Sequence, residues 1–478
     1  MATDRRKRAE PATGDQHVLR TEPGGGFLFA RYLNGFDPDG RKRCSCGQIH
    51  ELGTREILLG DGVWAAIPER LRREHGEDTV IWILSDQNTE AAAGAALKRA
   101  LGGLRLTEEV LPGTPKPECT PQLAERLAAR AKAASAGLIL SVGGGTMSDL
   151  GKTVSHQLGL PNWGLMTAPS MDAHASGTAN LKTSAGAVSR PATPSRRVFC
   201  DTAVVEKAPE ELFLAGLGDQ LAKFMGYLDW QVGAWVFGEY FCPEAAEASL
   251  QSARQTLQAL REPGSPPGRV RLRLADALLT SGLCMQSLRQ SRPAASAEHT
   301  AAHFWEITYV ARIPRLALHG LLVGAATALV YRVYREFFSL LKELPLDVAS
   351  RVEELGREPS WETSLDDEMR PYRAVLEAQT AGRTPVAQTC RESLTRLAGC
   401  RPRIQELAEG LLAELKEGIR LLGERGYPFD LTAYGLTPEE ILLPFRYVRL
   451  LRNRTSAFDL MHLLGVERRV YRAALAAG

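Results

Sequence analysis

Three groups of residues have types and spacings that can do chemistry. The first is built on histidine. Of nine histidines, His299, His303 and His319 fall within 21 positions (299 to 319). His299 and His303 stand four apart in AEHTAAHFWE, so on a helix they share one face. His319 interrupts the apolar run LALHGLLVG. Core histidines bonded to backbone explain each one singly, whereas together they suit a metal or proton-transfer site. A catalytic divalent metal takes about three protein ligands and keeps a position open for substrate, so a carboxylate must join them. Asp219, in AGLGDQLAKF, reads as a glycine-flanked helix start, where N-capping is the plainer role. Asp172, in TAPSMDAHAS, lies in a loop of small residues that can approach a ligand.

The second group is a glycine turn. In SVGGGTMSDLGKTV an apolar strand runs into Gly143, Gly144 and Gly145, and a helix is expected from about Thr146. Backbone can approach a diphosphate closely there, and the free N–H groups of a helix start favour its charge. Ser148 stands where a third spaced glycine would be, and a tight turn alone explains the glycines as well. Asp86 ends an earlier strand, where an acid can accept hydrogen bonds from an adenosine ribose or simply serve as a turn residue. The third group is RCSCGQIH, in which Cys44, Cys46 and His50 have a loosely metal-like spacing with no clear fourth ligand nearby.

These residues need elements to position them. Apolar runs at 56–59, 79–85 and 137–142 alternate with alanine-rich helical stretches at 90–101 and 121–134, which predicts a parallel sheet covered on both faces. After about residue 205 strand-like runs nearly vanish and long helical segments dominate, for example 215–237, 271–288, 297–310 and 319–341. The expected organisation is a mobile basic tail over 1–25, an α/β dinucleotide-binding domain over 26–204, and an all-α metal-binding domain over 205–478. Within the last, a charged segment near 346–425 reads as inserted surface helices. The 478 residues are 44% hydrophobic and 24% charged, ample for large cores. Lys and Arg number 58 against 56 Asp and Glu, so charge gives no case for nucleic acid or an acidic membrane surface. Of eight cysteines, Cys119, Cys200, Cys242, Cys284, Cys390 and Cys400 are widely scattered, which fits reduced thiols in a cytoplasmic protein, and no apolar stretch is expected to span a bilayer.

GGGTMSD, TAPSMDAHAS, GLGDQ, SRPAASAEHTAAH and LHGLLVG follow one another in an order and at separations that resemble the sn-glycerol-1-phosphate dehydrogenase family. That family belongs with dehydroquinate synthases, glycerol dehydrogenases and iron-containing alcohol dehydrogenases. The resemblance covers about residues 44–335 and 430–465. It implies a Rossmann-like parallel sheet followed by a helical domain, the dehydroquinate synthase-like fold. It further implies an NAD(H)- or NADP(H)-dependent reduction of dihydroxyacetone phosphate to sn-glycerol 1-phosphate, with one divalent metal, zinc or nickel, and a homodimer or larger assembly. Carried over by position, Gly143, Gly144, Gly145, Thr146, Asp149, Thr167, Ser170 and Ser176 would line the dinucleotide. Asp219, His299 and His319 would hold the metal, while Asp172 and His303 would contact substrate and Lys182 its phosphate.

The chain departs from the family pattern at a few positions. Met171 stands where many members carry a more polar residue, and Leu321 and Leu322 follow His319-Gly320 where Glu and a polar residue are common. Lys223 stands where a neutral residue is usual; it reads equally as an anion-binding group or a salt-bridged surface lysine. A carbocycle-forming lyase on a phosphorylated sugar, or a dehydrogenase of an unphosphorylated polyol, would use the same constellation.

Overall fold

The computed structural model describes residues 26–183, 186–262, 266–314, 318–358, 361–363, 365–381 and 386–475; the basic segment 1–25 lies outside the described residues. A short helix, Leu28–Leu33, precedes a hairpin of β1 (Arg41–Arg43) and β2 (Ile49–Glu51). A parallel six-stranded sheet follows, made of β3 (Glu56–Gly60), β4 (Ile81–Asp86), β5 (Leu106–Leu111), β6 (Leu138–Gly143), β7 (Asn162–Met166) and β10 (Arg197–Asp201). β8 (Thr178–Thr183) and β9 (Gly186–Pro191) form a separate antiparallel ribbon. The strand order is β3-β10-β7-β6-β4-β5. β4, β6, β7 and β10 are buried along their whole length, as expected of central strands of a sheet with both faces covered. Because β4 and β6 are neighbours, Asp86 and the glycine turn lie at adjacent strand ends.

The rest is helical. Glu210–Leu221, Lys223–Val232, Pro243–Arg261, Pro267–Leu288, Ala297–Tyr309 and His319–Glu343 pack around one apolar core. The Val386–Glu424 helix joins that core instead of lying on the surface, as the charge of the segment suggests. Cys390, Leu394, Leu397, Ile404, Ala408, Leu411 and Leu415 recur at helical spacing and are buried, while the charged residues between them take the outer face. At the other end of the chain, Phe27, Phe29 and Tyr32 pack on Ala275, Leu279 and Leu283. The Asp276 carboxylate accepts the N–H groups of Leu28 and Phe29, both at 3.0 Å. The first described segment is thereby fixed onto the helical part. Among the described residues no helix is long and apolar enough to cross a membrane.

Candidate active site

The glycine turn is a backbone construction. β6 ends at Gly143, and the Gly145–Leu158 helix starts at once with Gly144 as its N-cap, so no side chain takes the first-turn N–H groups. Such uncapped groups are a ready anion site. A Cβ on Gly145 would lie 2.2 Å from the Met171 sulfur, so a larger residue there would have to displace the Met171 side chain. The Gly143 carbonyl is held from two sides: the Thr167 N–H reaches it at 3.1 Å and the His174 Nε2 at 3.0 Å. Burial pushes the His174 imidazole down to about 4, so it stays neutral and donates to that carbonyl.

Gly145, Thr146, Asp149 and Ser170 line a cavity of about 110 Å³ in front of the turn. Asp149 pairs with Lys152 at 2.9 Å and accepts the Asn180 N–H at 3.1 Å; burial raises its pKa and Lys152 opposes the rise. Lys152, which no sequence pattern singled out, is fully buried. Its ammonium donates to the Ala173 carbonyl at 2.7 Å and the Ser176 hydroxyl at 2.9 Å. Ser176 is therefore spent on clasping the 172–178 loop to the helix, whereas the resemblance puts it on the dinucleotide. Asp86 likewise has one carboxylate oxygen engaged, accepting from Asn88 N at 2.8 Å and Thr89 N at 2.9 Å in a capping box.

The opposite wall is a nest of side chains from three helices. Asp219 sits near the C-terminal end of Glu210–Leu221 and not at a helix start, because Pro209 and the Glu210-Glu211 pair begin that helix earlier. N-capping therefore does not explain it. Its helix meets the start of His319–Glu343 at close range. A Cβ on Gly218 would come within 2.3 Å of the Gly320 carbonyl, and one on Gly320 within 2.0 Å of the Ala215 carbonyl. The Tyr427 hydroxyl donates to the Gly320 carbonyl at 2.9 Å and pins the crossing. This contact brings Asp219 and His319 together, and His299 arrives on Ala297–Tyr309. One donor atom from each of the three lies within 4.8 Å of the others. His299 Nε2 stands 3.4 Å from Asp219 Oδ1.

Two buried glutamates orient the imidazoles, and sequence reasoning missed both. Glu298 accepts from His299 Nδ1 at 2.9 Å, which turns Nε2 toward Asp219. Glu306 accepts from His319 Nδ1 and from His303 Nδ1, each at 3.1 Å. Carboxylates behind ligating histidines set tautomer and direction in this way. They were locally visible: Glu298 precedes His299, and Glu306 follows His303 by three positions. Asp219 Oδ1 is buried and has no hydrogen-bond partner. An orphaned carboxylate oxygen facing two imidazole nitrogens is a fit for a divalent cation, since leaving a buried acceptor without a partner costs about 1–3 kcal/mol. His303, Glu306 and His319 also converge, but the Glu306 oxygen there already accepts from both rings.

Lys223 completes the nest. It is fully buried, which excludes the surface reading, and its ammonium donates to Asp219 at 3.1 Å and Asp172 at 2.8 Å. Burial alone would lower its pKa, but the two aspartates raise it; in turn Lys223 and the histidines hold Asp219 below the usual carboxylate range against burial. Asp172 Oδ2 also accepts from Ser281 at 2.9 Å, so this one oxygen serves both the lysine and the hydroxyl. Lys182 reaches the cavity beside Glu118, 3.0 Å away, and is joined by Lys116, which lies in a loop without sequence signal. Burial and the nearby Lys182 lower the Lys116 pKa. His303, Glu306 and His319 line the same cavity, so the turn and the nest face one another across it. Beyond His303 a larger cleft of about 1280 Å³ opens, with Arg292, Arg452 and Arg454 in its wall.

Residues 58–209 match the family model described as iron-containing alcohol dehydrogenase. A protein of Geobacillus stearothermophilus named glycerol-1-phosphate dehydrogenase, with NAD(P)+ in its name, is 31% identical over 313 residues, 63% of this chain and 76% of that one. A protein of Sulfurisphaera tokodaii with the same name is 35% identical over 206 residues, 43% of this chain and 57% of that one. Among solved structures, NADH-dependent butanol dehydrogenase A of Thermotoga maritima superposes with a TM-score of 0.53 at 17% identity, covering 89% of this chain and 97% of that one. An iron-containing alcohol dehydrogenase of Corynebacterium glutamicum gives 0.53 at 16% identity, covering 87% and 95%. These two share the fold, a parallel sheet followed by a helical part. Ordered motifs, opposed turn and nest, and a relative matched over three-quarters of its length agree: the chain belongs to the glycerol-1-phosphate dehydrogenase family.

Proposed function

We propose that this protein interconverts dihydroxyacetone phosphate and sn-glycerol 1-phosphate, using NAD(H) or NADP(H) and one divalent metal. The observation that carries the reading is the orphaned Asp219 oxygen among His299 and His319, with His319 lining the same small cavity as the uncapped glycine turn. The names of the relatives support the substrate. The α/β part, 26–204, carries the dinucleotide, and the helical part, 205–478, carries the metal.

Asp219, His299 and His319 hold the cation, and one oxygen with two imidazole nitrogens suits zinc or nickel. When bound, the metal supplies Lewis acidity to the substrate carbonyl, and the reduced nicotinamide supplies the hydride. Glu298 and Glu306 fix the ligating rings. Lys223 neutralises part of the aspartate charge and keeps the Asp219 carboxylate ionised. Asp172 acts through Lys223 as a positioning residue. His303, held neutral by burial at about 3 and donating Nδ1–H to Glu306, offers Nε2 as an acceptor for a substrate hydroxyl. Lys116 and Lys182 place positive charge where the phosphate enters.

The test is oxidation of NADH by metal-replete protein, with dihydroxyacetone phosphate and dihydroxyacetone run side by side. Strong preference for the phosphate ester, abolished by chelator, is the expected result. Equal turnover of the unphosphorylated ketone would replace the phosphate reading with a polyol dehydrogenase. No turnover of either by protein that binds NAD would point to the carbocycle-forming chemistry.

A further inference from the structure

The RCSCGQIH segment acquires in the fold the ligand that its sequence lacks. The turn between β1 and β2 carries Cys44 and Cys46, and β2 carries His50. Gly47, at φ +87°, closes the turn, with the Cys44 N–H on the Gln48 carbonyl at 2.9 Å. Against it, 198 positions away from Cys44, lies Cys242. The Sγ atoms of Cys44 and Cys242 are 3.7 Å apart. His50 Nε2 is 3.2 Å from the Cys46 sulfur and 3.5 Å from that of Cys242. All four donor atoms lie within 4.8 Å of one another. A tetrahedral zinc with ordinary Zn–S and Zn–N bonds requires S···S of about 3.8 Å and S···N of about 3.6 Å. We propose that Cys44, Cys46, His50 and Cys242 form a second, structural metal site that binds zinc.

The surroundings fix the sulfurs and the imidazole in place. Cys242 is the N-cap of the Pro243–Arg261 helix, and burial with the neighbouring thiols raises its pKa, a penalty on the thiolate that a bound cation would remove. The Tyr240 hydroxyl lies 3.0 Å from the Cys46 sulfur and can donate to it. The His50 imidazole also bonds the Ser287 backbone, the kind of outer contact that aims a ligating ring. Three sulfurs and one nitrogen fill a tetrahedron and leave no position for substrate, unlike the Asp219 set. The consequence is mechanical. The metal would staple the hairpin to the helical part, closing a loop of about 200 residues that chain entropy would otherwise hold open. Immediately after the hairpin, the Thr54 N–H bonds Gln286 Oε1 at 3.0 Å, and Gln286 Nε2 donates to the Ala175 carbonyl at 2.6 Å. The staple thereby braces the loop that bears Asp172. None of this depends on the catalytic reading.

Metal analysis of the full-length protein purified from zinc-containing medium tests the proposal. About two equivalents per chain are expected, falling to about one in Cys46→Ser, and to about one in Asp219→Asn by loss of the other ion. A thiol-specific mercurial should release a single equivalent from the wild type. Cobalt loading of the wild type should give a near-ultraviolet charge-transfer band, which only a thiolate-ligated ion produces, and that band should survive in Asp219→Asn. The band needs no cysteine variant, so a misfolded Cys46→Ser protein leaves the test intact. One equivalent in the wild type with no charge-transfer band would overturn the site, as would an intact mass showing a Cys44–Cys242 disulfide in protein purified without oxidant.

Discussion

The glycine turn and the metal nest face each other across one cavity, yet they are made of different material. The turn is backbone: one strand, three glycines and one helix start, contiguous over residues 138–158. The nest is side chain: three helices that begin at Glu210, Ala297 and His319, each giving one donor, two of them backed by a buried glutamate. Local geometry is enough to build the first. The second exists only if helices pack closely enough, and Gly218 and Gly320 are what permit that approach. The turn should accordingly tolerate side-chain changes around it and respond to whatever moves its backbone. The nest should fail when a single donor is lost.

Asp219→Asn is the sharpest test of that contrast. The amide keeps the volume but removes the negative charge that faces His299 and that Lys223 and the histidines stabilise. Metal polarisation of a carbonyl is worth several kcal/mol, so kcat/KM should fall by about 10³-fold or more. NADH binding, followed by nicotinamide fluorescence, should change by less than about threefold, since ~0.6 kcal/mol is the most that a remote wall should contribute. Equal losses in both would mean that turn and nest are one coupled structure.

The turn has its own weak point in His174. Its pKa is about 4 in the folded protein against an ordinary 6.5, because burial disfavours the imidazolium. The unfolded chain therefore binds the extra proton between those values, and folding stability falls as pH drops from 6.5 toward 4. The contribution is about 3 kcal/mol when complete. In His174→Gln, denaturant unfolding should show a shallower acid slope than the wild type over that window. Parallel slopes would remove His174 as the acid-sensitive support of the Gly143 carbonyl.

Much of this was legible in the sequence, and the illegible parts have physical reasons. β4 and β6 announce themselves as apolar runs because central parallel strands are buried on both faces, and β3, at the sheet edge, still shows an apolar run although only its alternate residues are buried. β5, with Glu108 and Glu109 at the sheet edge, carries no such signal. The family motifs point to Asp219, His299 and His319, which the fold brings together, but Asp219 does not stand at a helix start, since a Gly-X-Gly-Asp string resembles a cap when its glycines serve a close helix crossing. Lys152 and Lys223 were unreadable as structural cations, because nothing local tells a buried lysine from a solvated one until its carboxylate partners are brought to it by the fold. Cys242 was invisible as a partner of Cys44 for the same reason: 198 residues separate them.

The smallest effect tests where the phosphate enters. Lys182 is half-buried, already paired with Glu118, and stands at the cavity rim, so its attraction for a phosphate is screened by water. Lys182→Ala should raise KM for dihydroxyacetone phosphate by about fivefold, the equivalent of ~1 kcal/mol, with kcat little changed, because the charge acts on binding and not on the reacting carbonyl. The unphosphorylated ketone should show no change in KM. A fall in kcat with KM unaltered would relocate the phosphate to the arginines beyond His303, where Arg292, Arg452 and Arg454 line the larger cleft, and would make Lys182 a support of the turn wall instead.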